Sequence, residues 1–231
     1  MRKSTLILAG LGVGLAVPAS ATILEDFEHG NTGLYTLATA GNNMTIIGAA
    51  AHDGQLGANF AGNVASGFYY RTDVPTAPGL EYRGYVRFHA NGGAGGRLYM
   101  GVSASAGGAW SAVAASNTSS IILQNNTGWG FVNTVSAAMT FTDNTWYQLG
   151  LEWAANGDMR VNLYDEPGTS LLAQTPWQAT GNTTPGGLSL RGFHNGAGSS
   201  VDFDTFQAVP EPATLLALGA GLAALAARRR K

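Results

Sequence analysis

Short runs of alternating apolar and polar residues recur through the middle of the chain, separated by clusters of Gly, Asn, Ser and Pro. Such period-two runs predict strands with one buried and one exposed face, and many of them between turn signals favour a sandwich or barrel. No helical periodicity of useful length accompanies them. We therefore expect an all-β fold in which about a dozen strands form a two-sheet antiparallel jelly-roll sandwich.

The clearest pair of runs spans residues 146–153 and 159–164. Tyr147 shares one face of the first run with the apolar residues at alternate positions after it, and the second run alternates in the same way. Asn156-Gly157 between them suits the positive φ angles of a tight hairpin turn. The other predicted strands are 68–72, 81–89, 97–103, 120–124, 187–193 and 200–206.

The run at 81–89 also predicts which side chains face the core. Alternation sends Tyr82, Val86 and Phe88 inward. The side chains expected to face outward are Glu81, Arg83, Arg87 and His89.

The N-terminus has the three parts of a secretory signal peptide. A positive start, Met1-Arg2-Lys3, precedes an apolar run at 5–17 and the small-residue cleavage site Ala19-Ser20-Ala21. We expect residues 1–21 to form a signal helix that is removed on export, so that the domain begins at Thr22.

Like the N-terminus, the C-terminus has the features of a targeting segment, and we call these two segments the addresses. Pro210-Glu211-Pro212 precedes an apolar run at 215–227, and Arg228 to Lys231 close the chain. As a helix this run would span about 20 Å, less than the bilayer core of about 30 Å. We expect a hydrophobic helix that holds the protein at the inner membrane only transiently, or as a retained anchor with stretched flanks.

These C-terminal features, in this order, resemble the PEP-CTERM sorting signal of Gram-negative bacteria that make extracellular polysaccharide. The resemblance covers residues 209–231. It implies that Pro210, Glu211 and Pro212 are the sorting motif, which an exosortase of the export machinery recognises and processes. The protein would then reach the cell surface or the extracellular matrix.

Charge and composition narrow the classes of function left for residues 22–208. Outside the two addresses the chain keeps six Arg, no Lys and 13 acids, so the domain carries about seven negative charges at neutral pH. This balance opposes binding to nucleic acid and to anionic lipid. The absence of Cys excludes a disulfide framework, a thiolate zinc site and a cysteine nucleophile.

The hairpin at 146–164, with its Trp-Tyr-x-Leu-x-Leu-x-Trp and Met-x-Val-x-Leu-Tyr strands, resembles the central hairpin of concanavalin-like or laminin-G-like jelly rolls. So do the acidic-aromatic segments at 25–28 and 201–204. The resemblance implies the fold and leaves the function open.

The acidic segments suggest a metal site. Alternation places Asp202 and Asp204 on one outward face, and the same rule pairs Asp26 with Glu28. If the two segments are neighbours, the four carboxylates offer oxygen ligands suited to Ca²⁺. The alternative is a solvated strand face, and no dedicated calcium loop is present. No other cofactor is expected.

Aromatic residues carry the binding hypothesis. An exposed ring offers a flat apolar face to a sugar, and neighbouring polar groups can bind its hydroxyls. The alternative is that these rings cap the core beneath loops. The candidate residues are Trp110, Trp129, Trp177, Tyr69 and Tyr85.

No catalytic residue is assigned. The Glu-x-Asp-x-x-Glu pattern of jelly-roll glucanases is absent, and Glu25 and Glu28 would point to opposite faces of a strand. The leading interpretation is a non-catalytic surface protein that binds extracellular polysaccharide. A carbohydrate-active hydrolase or lyase on the same fold, or a purely structural adhesion protein, remains open.

Overall fold

In the computed structural model, which describes residues 21–89 and 95–210, the chain folds into two antiparallel sheets packed face to face. The strands are β1 (Thr22–Glu25), β2 (Thr36–Leu37), β3 (Met44–Ile47), β4 (Gly57–Ala61), β5 (Tyr69–Thr76), β6 (Leu80–Phe88), β7 (Gly96–Ser105), β8 (Gly108–Ala115), β9 (Ser120–Asn125), β10 (Val132–Ala138), β11 (Trp146–Trp153), β12 (Met159–Tyr164), β13 (Leu171–Gln174), β14 (Gly186–His194) and β15 (Ser200–Pro210). Short 3₁₀ turns occupy Thr32–Leu34, Gly48–Ala50, Ser116–Thr118 and Thr127–Trp129.

Sheet A has eight strands in the order β13-β12-β11-β6-β15-β4-β3, with β1 also paired to β15. Sheet B has seven strands in the order β10-β9-β8-β7-β14-β5-β2. Consecutive strands thus alternate repeatedly between sheets, which is the crossing pattern of a jelly roll. The predicted all-β, two-sheet antiparallel architecture is confirmed.

The predicted hairpin is confirmed residue for residue, since β11 and β12 have the bounds that the alternation gave. The turn differs from the expected one. Five residues, 154–158, connect the strands, and only Gly157 has a positive φ, of 91°. The Gly157 N–H closes the turn on the Ala154 carbonyl at 2.9 Å.

The side-chain orientation predicted for β6 is also confirmed. Tyr82, Val86 and Phe88 are at most 1% exposed and belong to the central core. Gly84 lies among them because a Cβ at this position would sit 2.4 Å from the ring of Phe203, which is itself fully buried. The absence of a side chain at Gly84 thus leaves room in the core for the ring of Phe203.

The predicted addresses lie almost wholly outside the described residues. The signal segment 1–21 is described only at Ala21, and of the sorting motif only Pro210 is described, as the last residue of β15. The hydrophobic run 215–227 is likewise not described. Within residues 21–89 and 95–210, no helix has the length and apolar character needed to cross a membrane.

His194, a buried residue at the end of β14, makes the stability of the fold depend on pH. Its Nδ1 accepts the Gly196 N–H at 3.2 Å, so the buried imidazole is neutral. Burial lowers the pKa of His194 below its ordinary value of 6.5, and nearby His89 adds to this while Asp143 opposes it. The unfolded chain therefore takes up this proton first as the pH falls.

We accordingly expect the free energy of unfolding to decrease as the pH drops from about 6.5 towards the lower pKa of folded His194. Urea unfolding at pH 7.5 and at pH 5 measures this slope, and H194Q should flatten it because glutamine cannot take up the proton. An unchanged slope in H194Q would contradict this assignment.

Candidate functional site

The outer face of sheet A collects polar and aromatic side chains from four adjacent strands, β12, β11, β6 and β15, and we call it the polar face. Antiparallel register places residues of adjacent strands directly opposite one another, so alternate positions line up across the sheet. Its members are Glu81, Arg83, Tyr85, Arg87, Trp146, Gln148, Glu152, Arg160, Asn162, Tyr164, Asp202 and Asp204.

Arg87 occupies the centre of the first cluster on this face. It lies opposite Trp146 on one side and Asp202 on the other. Its Nη2 is 2.5 Å from Asp202 Oδ2, and its guanidinium carbon lies 4.4 Å from the centroid of the Trp146 ring. The ion pair fixes the guanidinium against the ring, so both present a defined surface.

Arg83, four residues before Arg87 on β6, repeats the arrangement. Its Nη2 lies 2.6 Å from Glu81 Oε2, and its guanidinium carbon is 3.8 Å from the centroid of Tyr164. Glu81 also accepts hydrogen bonds from Tyr164 and Asn162, at 2.9 and 2.8 Å. Gly150 makes this possible, since a Cβ there would lie 2.6 Å from Glu81 Oε1.

Arg160 forms the third cluster at the β12 side. Its Nε donates to Glu152 Oε2 at 2.5 Å, and its guanidinium carbon lies 4.4 Å from the centroid of Trp177. Trp177 follows β13 and is 42% exposed. The polar face therefore carries three arginines, each held by a carboxylate and each lying on an aromatic ring.

Asp202 and Asp204 do point to the outer side of sheet A, but the expectation that they are solvated is wrong. Both are fully buried. Asp202 accepts hydrogen bonds from Arg87, His89 and Asn59, so cationic and amide donors replace the water that burial removes.

Asp204 is enclosed by the loop that contains the 3₁₀ turn Gly48–Ala50. Its Oδ2 accepts the backbone N–H groups of His52 and Asp53 at 2.7 and 2.9 Å. Burial raises the pKa of Asp204, and these hydrogen bonds oppose the rise. The same loop lays the His52 ring on Tyr85, with centroids 3.6 Å apart.

The four acids proposed for calcium do not gather. Asp26 and Glu28 lie beyond the end of β1, where Phe27 has a φ of 63° and the strand alternation stops. Glu28 Oε1 accepts hydrogen bonds from the backbone N–H groups of Gln55 and Leu56. Among the described residues, no three His, Cys, Asp or Glu side chains are placed to hold a metal. Calcium binding itself stays a prediction.

The five aromatic candidates fall in different environments. Tyr69 is buried, and its hydroxyl accepts the backbone N–H groups of Asn43 and Met44. Trp129 is 8% exposed and Trp110 packs against the central core. Tyr69 and Trp110 thus pack in or against the central core, whereas Trp129 belongs to a second apolar cluster.

Tyr85 and Trp177 do lie at the polar face, Tyr85 beneath His52 and Trp177 beneath Arg160. The structure adds Trp146 and Tyr164, which the list of candidates omitted. Their signal was present in the alternation, because each occupies the polar-side position of a predicted strand.

The family model described as SO2946-like, C-terminal domain, matches residues 32–201, and a PEP-CTERM protein-sorting motif matches residues 208–231. The sorting resemblance of the C-terminus is thereby confirmed. Comparison with curated proteins finds no match.

Solved structures with a similar fold include carbohydrate-binding and lectin domains. The carbohydrate-binding module CBM66 from Bacillus subtilis matches with a TM-score of 0.52 and 13% identity, over 75% of this chain and 93% of that one. A legume lectin-like domain from Entamoeba histolytica matches with a TM-score of 0.52 and 10% identity, over 84% and 100%. The cellulose induced protein Cip1 gives 0.52 and 15%, over 80% and 95%. At these identities the likeness shows the jelly-roll fold alone.

Proposed function

The chain belongs to the SO2946-like C-terminal domain family, and from its fold and its polar face we propose an exported surface protein that binds polysaccharide without cleaving it. The sorting motif at residues 208–231 supports export and surface association. The likeness to carbohydrate-binding modules and lectins supports a carbohydrate ligand. In the finer form of the proposal, an exosortase processes the chain at the inner membrane and the domain remains in the extracellular matrix.

One observation carries the proposal: the three carboxylate–arginine–aromatic clusters of the polar face. A sugar ring needs a flat apolar surface and fixed hydrogen-bond donors beside it. Trp146 and Trp177 offer the rings, while Arg87 and Arg160 offer guanidinium donors on the same surface. Because the ion pairs already hold these side chains, little freedom is left to lose when a ligand binds.

The carboxylates of these clusters have a different part in the proposal. Glu81, Glu152 and Asp202 each pair with an arginine, so they position donors. A retaining glycosidase would instead need two free carboxyls about 5 Å apart. We therefore assign no catalytic residue to the polar face.

The proposal is tested by co-sedimenting the exported protein with the extracellular polysaccharide of its host and sizing the polymer in the same sample. We expect retention with intact polymer, and W146A and W177A should each weaken binding about tenfold, the loss typical of a key aromatic contact. W146F and W177F, which keep a flat ring, should lose less.

The matched control is I23A, which removes an exposed apolar side chain, 58% exposed, at the edge strand β1. It should bind as the unaltered protein does. A shortened polymer would replace the proposal with a carbohydrate-active enzyme. Self-association without retention on polysaccharide would replace it with a structural adhesion protein.

A further inference from the structure

A second surface feature lies on the outer face of sheet B. Alternate residues of β14 divide between two environments, with Leu188 and Leu190 in the central core and Phe193 in a separate outer cluster. Beside that cluster opens a cleft of about 430 Å³, within the usual size of ligand sites. The lining includes Asn63, Ser66, Arg191, Phe193, His194 and Asn195.

Arg191 is the charged residue of this cleft, and aromatic rings surround it. Its guanidinium carbon lies 4.8–5.4 Å from the centroids of Phe68, Tyr99, Phe131 and Phe193. Phe131 is 55% exposed and lies beside Arg191, outside the lining of the cleft itself, so it offers an open ring next to the guanidinium. The arrangement combines a cation with flat apolar faces at one point of the surface.

The positive charge of Arg191 has no carboxylate partner among the described residues. Nη2 donates to Ser66 Oγ at 2.8 Å, whereas Nη1 is buried and has no hydrogen-bond partner. Leaving a buried donor of a charged group unpaired is costly, and such groups call for an explanation. Arg191 therefore carries a positive charge that no carboxylate of the described residues balances.

Four of the other five arginines of the domain are paired with carboxylates, in contrast to Arg191. Arg71 pairs with Asp73 and Glu25, and the hydrogen bonds that it donates to Asp73 raise its pKa. The pKa of Arg191 is instead lowered by burial. The arginines of the polar face are paired in the same way as Arg71, namely Arg83, Arg87 and Arg160.

Charge is distributed unevenly between the two sheets. Asp73 is the only acid within the strands of sheet B, although the domain as a whole has 13 acids. Arg97 lies opposite Phe193 on β7 and binds Asn117, so it adds a second cation without a carboxylate partner among the described residues. The strands of sheet B therefore carry more arginines than acids, although the domain is negative overall.

We infer that the cleft binds the carboxylate of an acidic polysaccharide, with Arg191 as the principal ligand and Arg97 as a secondary charge. The inference rests on the proposed function and assigns it a substrate class, a polymer that contains uronic acids. The exposed ring of Phe131 can lie against the sugar that carries the carboxylate. Two arginines suit a sparsely charged polymer, whereas the overall negative charge repels a dense polyanion such as nucleic acid.

The experiment compares a partly methyl-esterified polygalacturonate (the acid form), in which free carboxylates are sparse, with its fully methyl-esterified form, which has the same backbone and no charge. The exported protein is expected to bind the acid form at least tenfold more tightly than the ester. The ester cannot accept charge-assisted hydrogen bonds, and the loss of one such bond corresponds to about this factor. R191Q should bind the acid form about tenfold to a hundredfold more weakly. R191K keeps the charge but not the planar fork of the guanidinium. Its affinity for the acid form should lie between those of the unaltered protein and R191Q.

I23A, at the exposed position on β1, is the matched control, and it should leave both the affinity for the acid form and the preference over the ester unchanged. Equal binding of acid and ester by the unaltered protein would overturn the inference, and this comparison needs no folded variant. R191Q that keeps full affinity would overturn it too. Binding of single-stranded DNA that R191Q abolishes would reassign the cleft to nucleic acid and so refute the polysaccharide assignment.

The two proposals fail separately. If the host polysaccharide is retained but carboxylates make no difference, the proposed function stands and the Arg191 inference falls. If no polysaccharide of either kind is retained, both are refuted.

Discussion

Replacing Asp202 with alanine is expected to lower the free energy of unfolding by about 3–5 kcal/mol, the usual cost of removing one partner of a buried ion pair. Asp202 is fully buried and accepts from Arg87, His89 and Asn59. Without it, the guanidinium of Arg87 loses its counter-charge. The ion pair that holds this guanidinium against the ring of Trp146 is then lost as well. Stability and polysaccharide retention should therefore fall together.

Urea unfolding of D202A measures the first effect, and D202N is its control. Asparagine keeps the size and one acceptor oxygen but removes the charge, so an intermediate loss is expected. I23A again reports on an exposed site. A D202A protein as stable as the original would mean that the charge on Arg87 is balanced in another way.

Replacing Trp153 with alanine should cost about 3–5 kcal/mol, the range for large-to-small changes of buried aromatic residues. Trp153 is fully buried at the end of β11, and its Nε1 donates to the Asn182 carbonyl at 2.6 Å. The substitution therefore leaves a cavity and also an unpaired carbonyl.

W153F separates the two effects, because phenylalanine fills most of the volume but cannot donate. We expect it to lose clearly less stability than W153A in thermal or urea unfolding. Equal losses in the two variants would place the whole effect in the hydrogen bond. A loss below 1 kcal/mol in W153A would show that the sandwich collapses around the site.

Strand alternation was a strong guide to the fold because the two sheets bury one face of most strands. The hairpin of β11 and β12 has its predicted bounds, and the run at 81–89 is found at Leu80–Phe88. Strands without alternation were missed. β8 reads Gly-Ala-Trp-Ser-Ala-Val-Ala-Ala because sheet B buries small residues on both of its faces, so no polar side marks it.

The site was harder to predict because it depends on which strands are neighbours. Alternation correctly turned Arg87 and Asp202 to outer faces, but only the pairing of β6 with β15 joins them into an ion pair. Nothing local in the sequence marks Asp202 as buried. The loop that encloses Asp204 contributes the backbone N–H of His52, which lies 152 positions earlier in the chain.

Arg191 illustrates the same limit from the other side. In sequence it is one charge in a Gly-rich strand, with a phenylalanine two positions later. Its four rings come from β7, β14 and the segments before β5 and β10. A missing counter-charge is a property of the whole surface, so it becomes visible only when every acid has been placed.

The position of β15 governs the order in which the protein can mature. This last strand lies in the interior of sheet A, between β6 and β4, and it also pairs with the first strand, β1. A chain made from its N-terminus therefore cannot close sheet A until residues 200–210 are available, immediately before the apolar C-terminal run. The strand that completes sheet A thus ends at Pro210, within the segment 208–231 that matches the sorting motif.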